Sequence, residues 1–333
     1  MGVTNMQGLL NKLIAVLTEA CGDALTVTNF GDITQFELEL GTLGATQFDG
    51  LWGAANMPAQ NLTLSFSIEA DYISDGNVDV ITDEHAMVYG SDIEYVIEDM
   101  IKTAKKINDE GFIPMPHFPA RIIKNKNMLT EWLSMYQNEA NVSEALLLAG
   151  GSSQPLGEFD SSMQLIETGE FDKLGFTRLH VAGHPEGSKD IDPDGGKKNT
   201  SSALSWKQEF SKRTDATMAI ATQFCFDANT VTSWAENLKQ DGIDIPIHIG
   251  IAGPAKLQTL LKFSIQCGIG PSMRVLTKRA KDITKLLLPY KPTEILEGLA
   301  EYKLKDPDLN IEQVHFFPIG GVKQTADFAR EIS

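Results

Sequence analysis

From residue 62 onward the chain repeats one alternation: a short, nearly unbroken apolar segment, then a helix-like stretch. The apolar segments are LTLSFSIEA (62–70), AMVYG (86–90), FIPMPHF (112–118) and EALLLAGG (144–151). RLHVAG (178–183), MAIATQFCF (218–226), IPIHIGIAG (245–253) and VHFFPIGG (314–321) complete the set. Stretches such as SDIEYVIEDMIKTAKKINDEG and ANTVTSWAENLKQDG lie between most of them and end near a Gly, as helix C-termini do. Strands that are apolar throughout, rather than alternately, are covered on both faces, which is the condition of a parallel sheet. Eight such units predict a (β/α)8 TIM barrel in an α/β chain, with a doubly wound open sheet as the other solution. The barrel is expected over residues 61–333.

Residues 1–60 read as an N-terminal extension. Leu9, Leu10, Leu13, Ile14 and Leu17 recur at helical spacing and predict a helix over 5–20. FELELG (36–41) is a possible strand there, outside the eight-strand count.

The function classes narrow with charge and cysteine usage. The formal net charge is −17, which disfavours a nucleic-acid backbone or an anionic membrane as the main partner. Three scattered cysteines make no disulfide framework and suit a reducing cytoplasm. The N-terminus has no basic region followed by a hydrophobic run, and no stretch approaches the ~18 apolar residues of a membrane span. Gly-x-Gly-x-x-Gly after a strand, the phosphate loop and the Gly-x-Ser-x-Gly elbow are all missing from the sequence, which disfavours a Rossmann cofactor domain, an NTPase and an α/β-hydrolase.

In a (β/α)8 barrel the site forms at the C-terminal ends of the strands. Those ends carry Glu69, His117, Gly150-Gly151, His184, Gln223 to Asp227, Gly253 and Gly320-Gly321. Two long polar loops follow the fourth and fifth apolar segments, as loops that shape binding sites do. Gln223 stands within an apolar run, where an unpartnered amide costs about 1–3 kcal/mol. It is either a satisfied core or strand-end amide, or an amide aimed at a ligand. His117 leaves its strand between two prolines, and His184-Pro185-Glu186 follows the fifth strand directly. Asp190-x-Asp192-x-Asp194-Gly195 begins like a calcium loop, but Ser201 stands where the twelfth-position Glu belongs, and Lys197 and Lys198 lie inside. A solvated turn is expected there, and no catalytic metal. RVLTKRAKDITK (274–285) gathers five cations on one helix, by default a solvated face, with an anionic ligand tail as the alternative.

Taken together, SIE (67–69), MPHFPAR (115–121), LLLAGG (146–151), GHPEG (183–187), TQFCFD (222–227), IPIHIGIAGP (245–254) and VHFF (314–317) resemble the methylenetetrahydrofolate reductase family, in the family's order, over residues 62 to 325. The resemblance implies a (β/α)8 barrel that holds FAD at the strands' C-terminal ends and interconverts 5,10-methylenetetrahydrofolate and 5-methyltetrahydrofolate. It implies Glu69 as the general acid that protonates the departing nitrogen as the folate's five-membered ring opens. Glu37 and Glu39 of FELELG are the competing acids. Gln223 would bind the pterin, since an amide both donates and accepts. Leu257 and Phe317 would pack on the substrate. Tyr89, His117, Ala149, Gly150, Gly151, His184 and Lys207 would contact the flavin, with the Lys207 cation suited to its diphosphate. Asp227 would cap the following helix.

The departures from the family pattern are specific. Arg-Gly-Asp after the fourth strand reads Ala149-Gly150-Gly151, a histidine past the Pro-Glu turn reads Ser188, and a phenylalanine reads Leu257. Weak turnover with ordinary nicotinamide donors is therefore expected, and the choice of NADH or NADPH stays open. The expected partner is a small-molecule folate, with self-association into a homo-oligomer left open. Two other readings remain: a flavin-free folate-binding or regulatory barrel, and a pterin- or corrinoid-linked methyltransferase barrel.

Overall fold

The computed structural model describes residues 36–40, 62–66, 93–109, 113–152, 154–267, 269–270, 272–280, 289–317, 319–320 and 322–332. The expected N-terminal helix, the AMVYG segment with Tyr89, and Glu69 lie outside these residues. The chain is an α/β protein of parallel strands alternating with helices, the arrangement of a TIM-barrel-like fold. The strands are β1 (Phe36–Leu40), β2 (Leu62–Phe66), β3 (Ile113–Pro119), β4 (Glu144–Leu148), β5 (Arg178–Gly183), β6 (Thr217–Thr222), β7 (Ile247–Ala252) and β8 (Ile311–Phe317), and their order in the sheet is their order in the chain. Pairing is parallel from β2 to β5 and from β6 to β8. The set of strands differs from the expected one in one respect among the described residues. FELEL, placed outside the eight, is β1, and Glu37 and Glu39 lie on it.

The chain divides into two compact units, one running from Leu40 through Val181 with Asp215–Thr217, the other holding Ala182–Thr214 and Met218 onward. In the first, β3, β4 and the start of β5 alternate with α1 (Ile93–Asp109), α2 (Lys126–Ala140) and the short α3 (Ser162–Glu167) and α4 (Glu170–Lys173), and α1 packs on both β3 and α2. Asn125 caps α2 by accepting from the Met128 N–H at 3.0 Å, and Asn141 ends it in the left-handed region at φ 51°. Phe118 of β3 meets Tyr136, Phe171 and Phe176 edge-on, with ring centroids 5.5, 5.5 and 6.3 Å away. Each such ring contributes roughly 1.5–3 kcal/mol by leaving water. Glu170 is buried, yet Lys126 at 2.8 Å and Lys173 at 2.6 Å hold its carboxyl down at about 2.

The second unit carries α5 (Lys198–Ser211), α6 (Ala228–Gln240), α7 (Leu257–Gln266), α8 (Met273–Ala280), α9 (Thr293–Lys305) and α10 (Val322–Ile332) around β6, β7 and β8. Gly250 of β7 is glycine for a spatial reason. A Cβ there would lie 2.3 Å from the Thr222 carbonyl oxygen and 2.8 Å from the Phe224 nitrogen. The Gly250 N–H donates to Thr222 Oγ1 at 2.8 Å, so the end of β6 rests directly on β7. On β8 a register shift sets both Glu312 and Gln313 against His248. Glu312 Oε2 lies 2.7 Å from Nε2, and the Gln313 amide 3.3 Å from Nδ1.

The Asp190–Gly195 stretch has a structural use that the calcium comparison did not anticipate. Asp192 is 2 % exposed rather than solvated. Its carboxylate accepts from the Asn199 N–H at 2.8 Å, the Thr200 N–H at 3.0 Å and the Thr200 hydroxyl at 2.9 Å, so it caps α5 from outside the helix. Lys197, the residue at the N-cap position, provides no side-chain cap of its own. Among the described residues no group of three or more His, Cys, Asp and Glu side chains could hold a metal ion. Burial works to raise the Asp192 pKa, and the hydrogen bonds from Thr200 and Asn199 prevail and lower it. This stabilisation is complete above the ordinary aspartate pKa and is lost as pH falls through the lowered one. Asp192→Ala should lower the urea unfolding midpoint at pH 7, as loss of a helix cap does. The difference from wild type should narrow in strong acid, and equal midpoints at pH 7 would show that the carboxylate does not hold the helix.

Candidate functional site

Five of the expected site residues, His184, Lys207, Gln223, Leu257 and Phe317, lie in the second unit. β5 ends at Gly183, and His184-Pro185-Glu186-Gly187 turns at once, closed by the Gly187 N–H on the His184 carbonyl at 3.0 Å with Gly187 at φ 83°. α5 returns from this turn. Its buried stripe is Leu204, Lys207, Gln208 and Phe210, so Lys207 occupies a core position by helical spacing. Gln208 is satisfied there, accepting from the Asp244 N–H at 2.8 Å. Lys207 is different. It is 5 % exposed, its ammonium reaches only the Ala182 carbonyl, at 3.4 Å, and among the described residues no carboxylate pairs with it. Burial lowers its pKa to about 8. Burial, and after it the nearby Lys207 charge, hold His184 down at about 4, with Asp190 pulling the other way. At neutral pH the pair is therefore an uncompensated buried cation beside a neutral imidazole, an arrangement that favours an anion.

Gln223 is not inside the strand. β6 stops at Thr222, and Gln223 is half-buried at its exit. Its backbone N–H donates to the Gly183 carbonyl at 2.9 Å, and its side-chain oxygen accepts from the Phe224 N–H at 3.0 Å. Among the described residues its NH2 has no acceptor. The oxygen closes a strand-end turn, the first of the two readings weighed in the sequence, and the nitrogen is left to donate. Phe224, Phe226, Leu257, Leu260 and Tyr290 form one apolar cluster, with Phe317 packed against it. Phe317 and Phe224 are tilted rings 5.2 Å apart. Leu257 and Phe317, expected to pack on a substrate, thus belong to or rest on the cluster that holds Phe224, whose N–H donates to the Gln223 side chain. Leu257 itself is 5 % exposed and belongs to the wall more than to the surface. Asp227 caps α6 as expected, accepting from the Asn229 N–H at 3.3 Å and the Thr230 hydroxyl at 2.7 Å.

In the first unit His117 is buried in β3, in register with Leu146 of β4. The Ala149 carbonyl accepts from the Arg121 N–H at 2.9 Å, and Arg121 reaches Ser152 O at 2.9 Å and Asp160 Oδ1 at 3.0 Å. Gly150 follows at φ 95°, which a residue with a Cβ rarely adopts. The Ala-Gly-Gly exit of β4 is thus a turn that brings bare backbone to the strand end.

Glu186 was noticed in the sequence only as part of the Pro-Glu turn. Its carboxylate accepts from the N–H of Gly270 at 3.0 Å and of Ser272 at 3.2 Å, across a gap of more than eighty residues that no local pattern could reveal. The cation-rich stretch read from 274 starts helix α8, on which Arg274 and Lys278 are exposed. Among the described residues no helix is long and apolar enough to cross a membrane.

No protein-family model matches the chain. Among solved structures the chain is similar to an uncharacterized protein from Clostridium thermocellum that binds two copies of 5-methyl-5,6,7,8-tetrahydrofolic acid, at 13% identity and a TM-score of 0.42, over 81% of this chain and 82% of that one. It is also similar to the carboxyl transferase domain of Rhizobium etli pyruvate carboxylase, at 10% identity and a TM-score of 0.39, over 95% of this chain and 59% of that one. At that distance neither similarity carries an argument about function.

Proposed function

We propose that the chain is an FAD-dependent oxidoreductase that interconverts 5,10-methylenetetrahydrofolate and 5-methyltetrahydrofolate. The observation that carries the reading is Lys207, a buried ammonium at a core position of α5 whose partner among the described residues is a single carbonyl. A cation so placed lowers stability unless something anionic joins it. The family resemblance, which assigns Lys207 to the flavin's diphosphate, makes that anion the diphosphate, with His184 beside it as a neutral ring. Bound FAD would supply the hydride chemistry.

The chain's own residues do the rest. Gln223 has its oxygen fixed on the Phe224 N–H and its NH2 left to donate, which suits an acceptor on the pterin edge. Phe224 and Phe317 provide an apolar wall beside it and exclude water. Glu69 is proposed as the acid. By matching SIE it would protonate the nitrogen released when the folate's five-membered ring opens, a step needing a positioned proton donor. The nicotinamide donor is proposed to be used poorly, since Ala149-Gly150-Gly151 brings no carboxylate to the flavin.

A visible absorbance spectrum of the purified protein is the first test. A yellow protein, or one that gains a flavin spectrum on incubation with FAD, supports the reading. A colourless protein that takes up no FAD refutes it, and binding of 5-methyltetrahydrofolate by such a protein would favour the flavin-free barrel.

Lys207→Met should abolish FAD uptake and yet raise stability at pH 7. Lys207 is charged in both states at that pH, and burying the charge costs on the order of 3 kcal/mol, given a pKa of about 8 against the ordinary 10.5. Between those values the unfolded chain binds more protons, so wild-type stability climbs as pH rises through this window. The advantage of the Met variant should be full below pH 8 and fade toward pH 10.5 in thermal unfolding of the flavin-free proteins. An advantage independent of pH would mean that the gain comes from packing, not charge.

Glu69→Gln should keep flavin binding and lose roughly 100- to 10,000-fold in methylenetetrahydrofolate reduction by pre-reduced enzyme. Near-normal single-turnover rates would remove Glu69 from the role and direct attention to Glu37 and Glu39.

A further inference from the structure

A chain of three hydrogen bonds joins parts of the second unit that are far apart in sequence. Glu186, on the turn after β5, takes the N–H groups of Gly270 and Ser272, one on each carboxylate oxygen. Ser272 is 2 % exposed, and its hydroxyl oxygen accepts from the Phe226 N–H at 3.1 Å. Phe226 ends the short segment that begins at Gln223. That segment is held at its other points by the Gly183 carbonyl on the Gln223 N–H, at 2.9 Å, and the Gly250 carbonyl on the Cys225 N–H, at 3.2 Å. Every backbone N–H from Gln223 to Phe226 therefore has an acceptor. The acceptor for Phe226 is the one that belongs to a loop rather than to a strand or to the segment itself. It stays in place only while the loop before α8 is held.

We propose that Glu186 is a positioning residue. Through Ser272 it fixes the Gln223–Phe226 segment and so sets the placement of the Gln223 amide and the Phe224 ring toward a bound folate. The placement rests on the function proposed above, while the clasp itself does not. Three features support it. A carboxylate is the one side chain that can accept from two separate N–H groups and bear negative charge ahead of the positive end of α8. The carboxylate is near enough to the segment that its charge, with that of Asp227, joins burial in pushing the Cys225 thiol up. Gly270 and Ser272 flank the entry to α8, whose Leu276 belongs to the same apolar cluster as Phe224 and Phe226, so the loop and the segment rest on common packing.

The test separates the clasp from the ligand. Hydrogen exchange in the ligand-free full-length protein reads the Phe226 amide, which Glu186 does not touch. In Glu186→Ala it should exchange at least tenfold faster than in wild type, as it should in Ser272→Ala, with α5 amides unchanged. Unchanged protection at Phe226 in Glu186→Ala overturns the proposal whether or not the protein binds folate. Affinity for 5-methyltetrahydrofolate is then measured by calorimetry in wild type, Glu186→Ala, Gln223→Ala and the double variant. Glu186→Ala should weaken binding about tenfold with FAD content unchanged, and in the Gln223→Ala background it should weaken binding no further than two- to threefold. Full additivity, or equal affinity in wild type and Glu186→Ala, overturns it. Glu186→Gln keeps one acceptor oxygen and should fall between. If wild type binds no 5-methyltetrahydrofolate, the folate reading fails, and the exchange result alone decides the clasp.

Discussion

A parallel strand cannot return to its neighbour by a tight turn; it must cross over through a covered segment. Much else in this molecule depends on that constraint. It makes the strands apolar on both faces, it puts a helix after nearly every strand, and it sends consecutive strand exits to the same edge. In the second unit the exits of β5 and β6 are then close enough for the Gln223 N–H to reach Gly183 O, and Gly250 lets β7 lie against both Thr222 and Phe224. The strands are thus a frame that delivers irregular backbone to a fixed place. Irregular backbone there must find hydrogen-bond partners beyond the strand ladder. It finds them in Glu186, Ser272 and the amide oxygen of Gln223.

The strands were legible because burial on both faces leaves an unmistakable pattern. RLHVAG and IPIHIGIAG became β5 and β7 within a few residues. FELEL was harder to place, since its alternation of apolar residues with Glu37 and Glu39 looks like a half-exposed strand outside a doubly covered sheet. Length misled at MAIATQFCF. The apolar run continues to Phe226, but β6 stops at Thr222, and Phe224 and Phe226 are buried in a cluster that also draws on β7, α7 and α8 through Ala252, Leu260 and Leu276. Periodicity reports that a residue is buried and does not say what buries it.

The candidate site was legible where chemistry is local and illegible where it is not. Asp227 could be read as a helix cap from its position before ANTVTSWAENL. Asp192 could not, because it caps α5 from seven or eight residues away, and the stretch with its two lysines read as a solvated turn. Lys207 stood out only through resemblance. Its spacing from Leu204 and its neighbour Gln208 already placed it on a core stripe, a signal available in the sequence to anyone asking which face of the helix each cation occupies. Glu186 had no such signal, since its partners Gly270 and Ser272 are ordinary loop residues far along the chain.

Lys207 and Glu170 show why burial alone does not mark function. Both are charged groups in dry surroundings. Glu170 is joined by Lys126, Lys173 and the Thr130 hydroxyl, so its ionised form is favoured and its burial is accounted for within the protein. Lys207 has one distant carbonyl, and its ionised form is disfavoured. A fold under selection for stability alone gains by replacing such a lysine with an apolar residue of similar length. A cation that stays buried with no counter-charge among the described residues is suited to an anionic ligand. The same reasoning separates Gln223 from Gln208. Gln208 is buried and anchors the backbone of Asp244. Gln223 spends only its oxygen on the backbone and holds its donor half at the edge of an apolar wall. Among the described residues, the incomplete pairing at Lys207 and at Gln223 falls on one unit of the chain, on segments that follow β5 and β6.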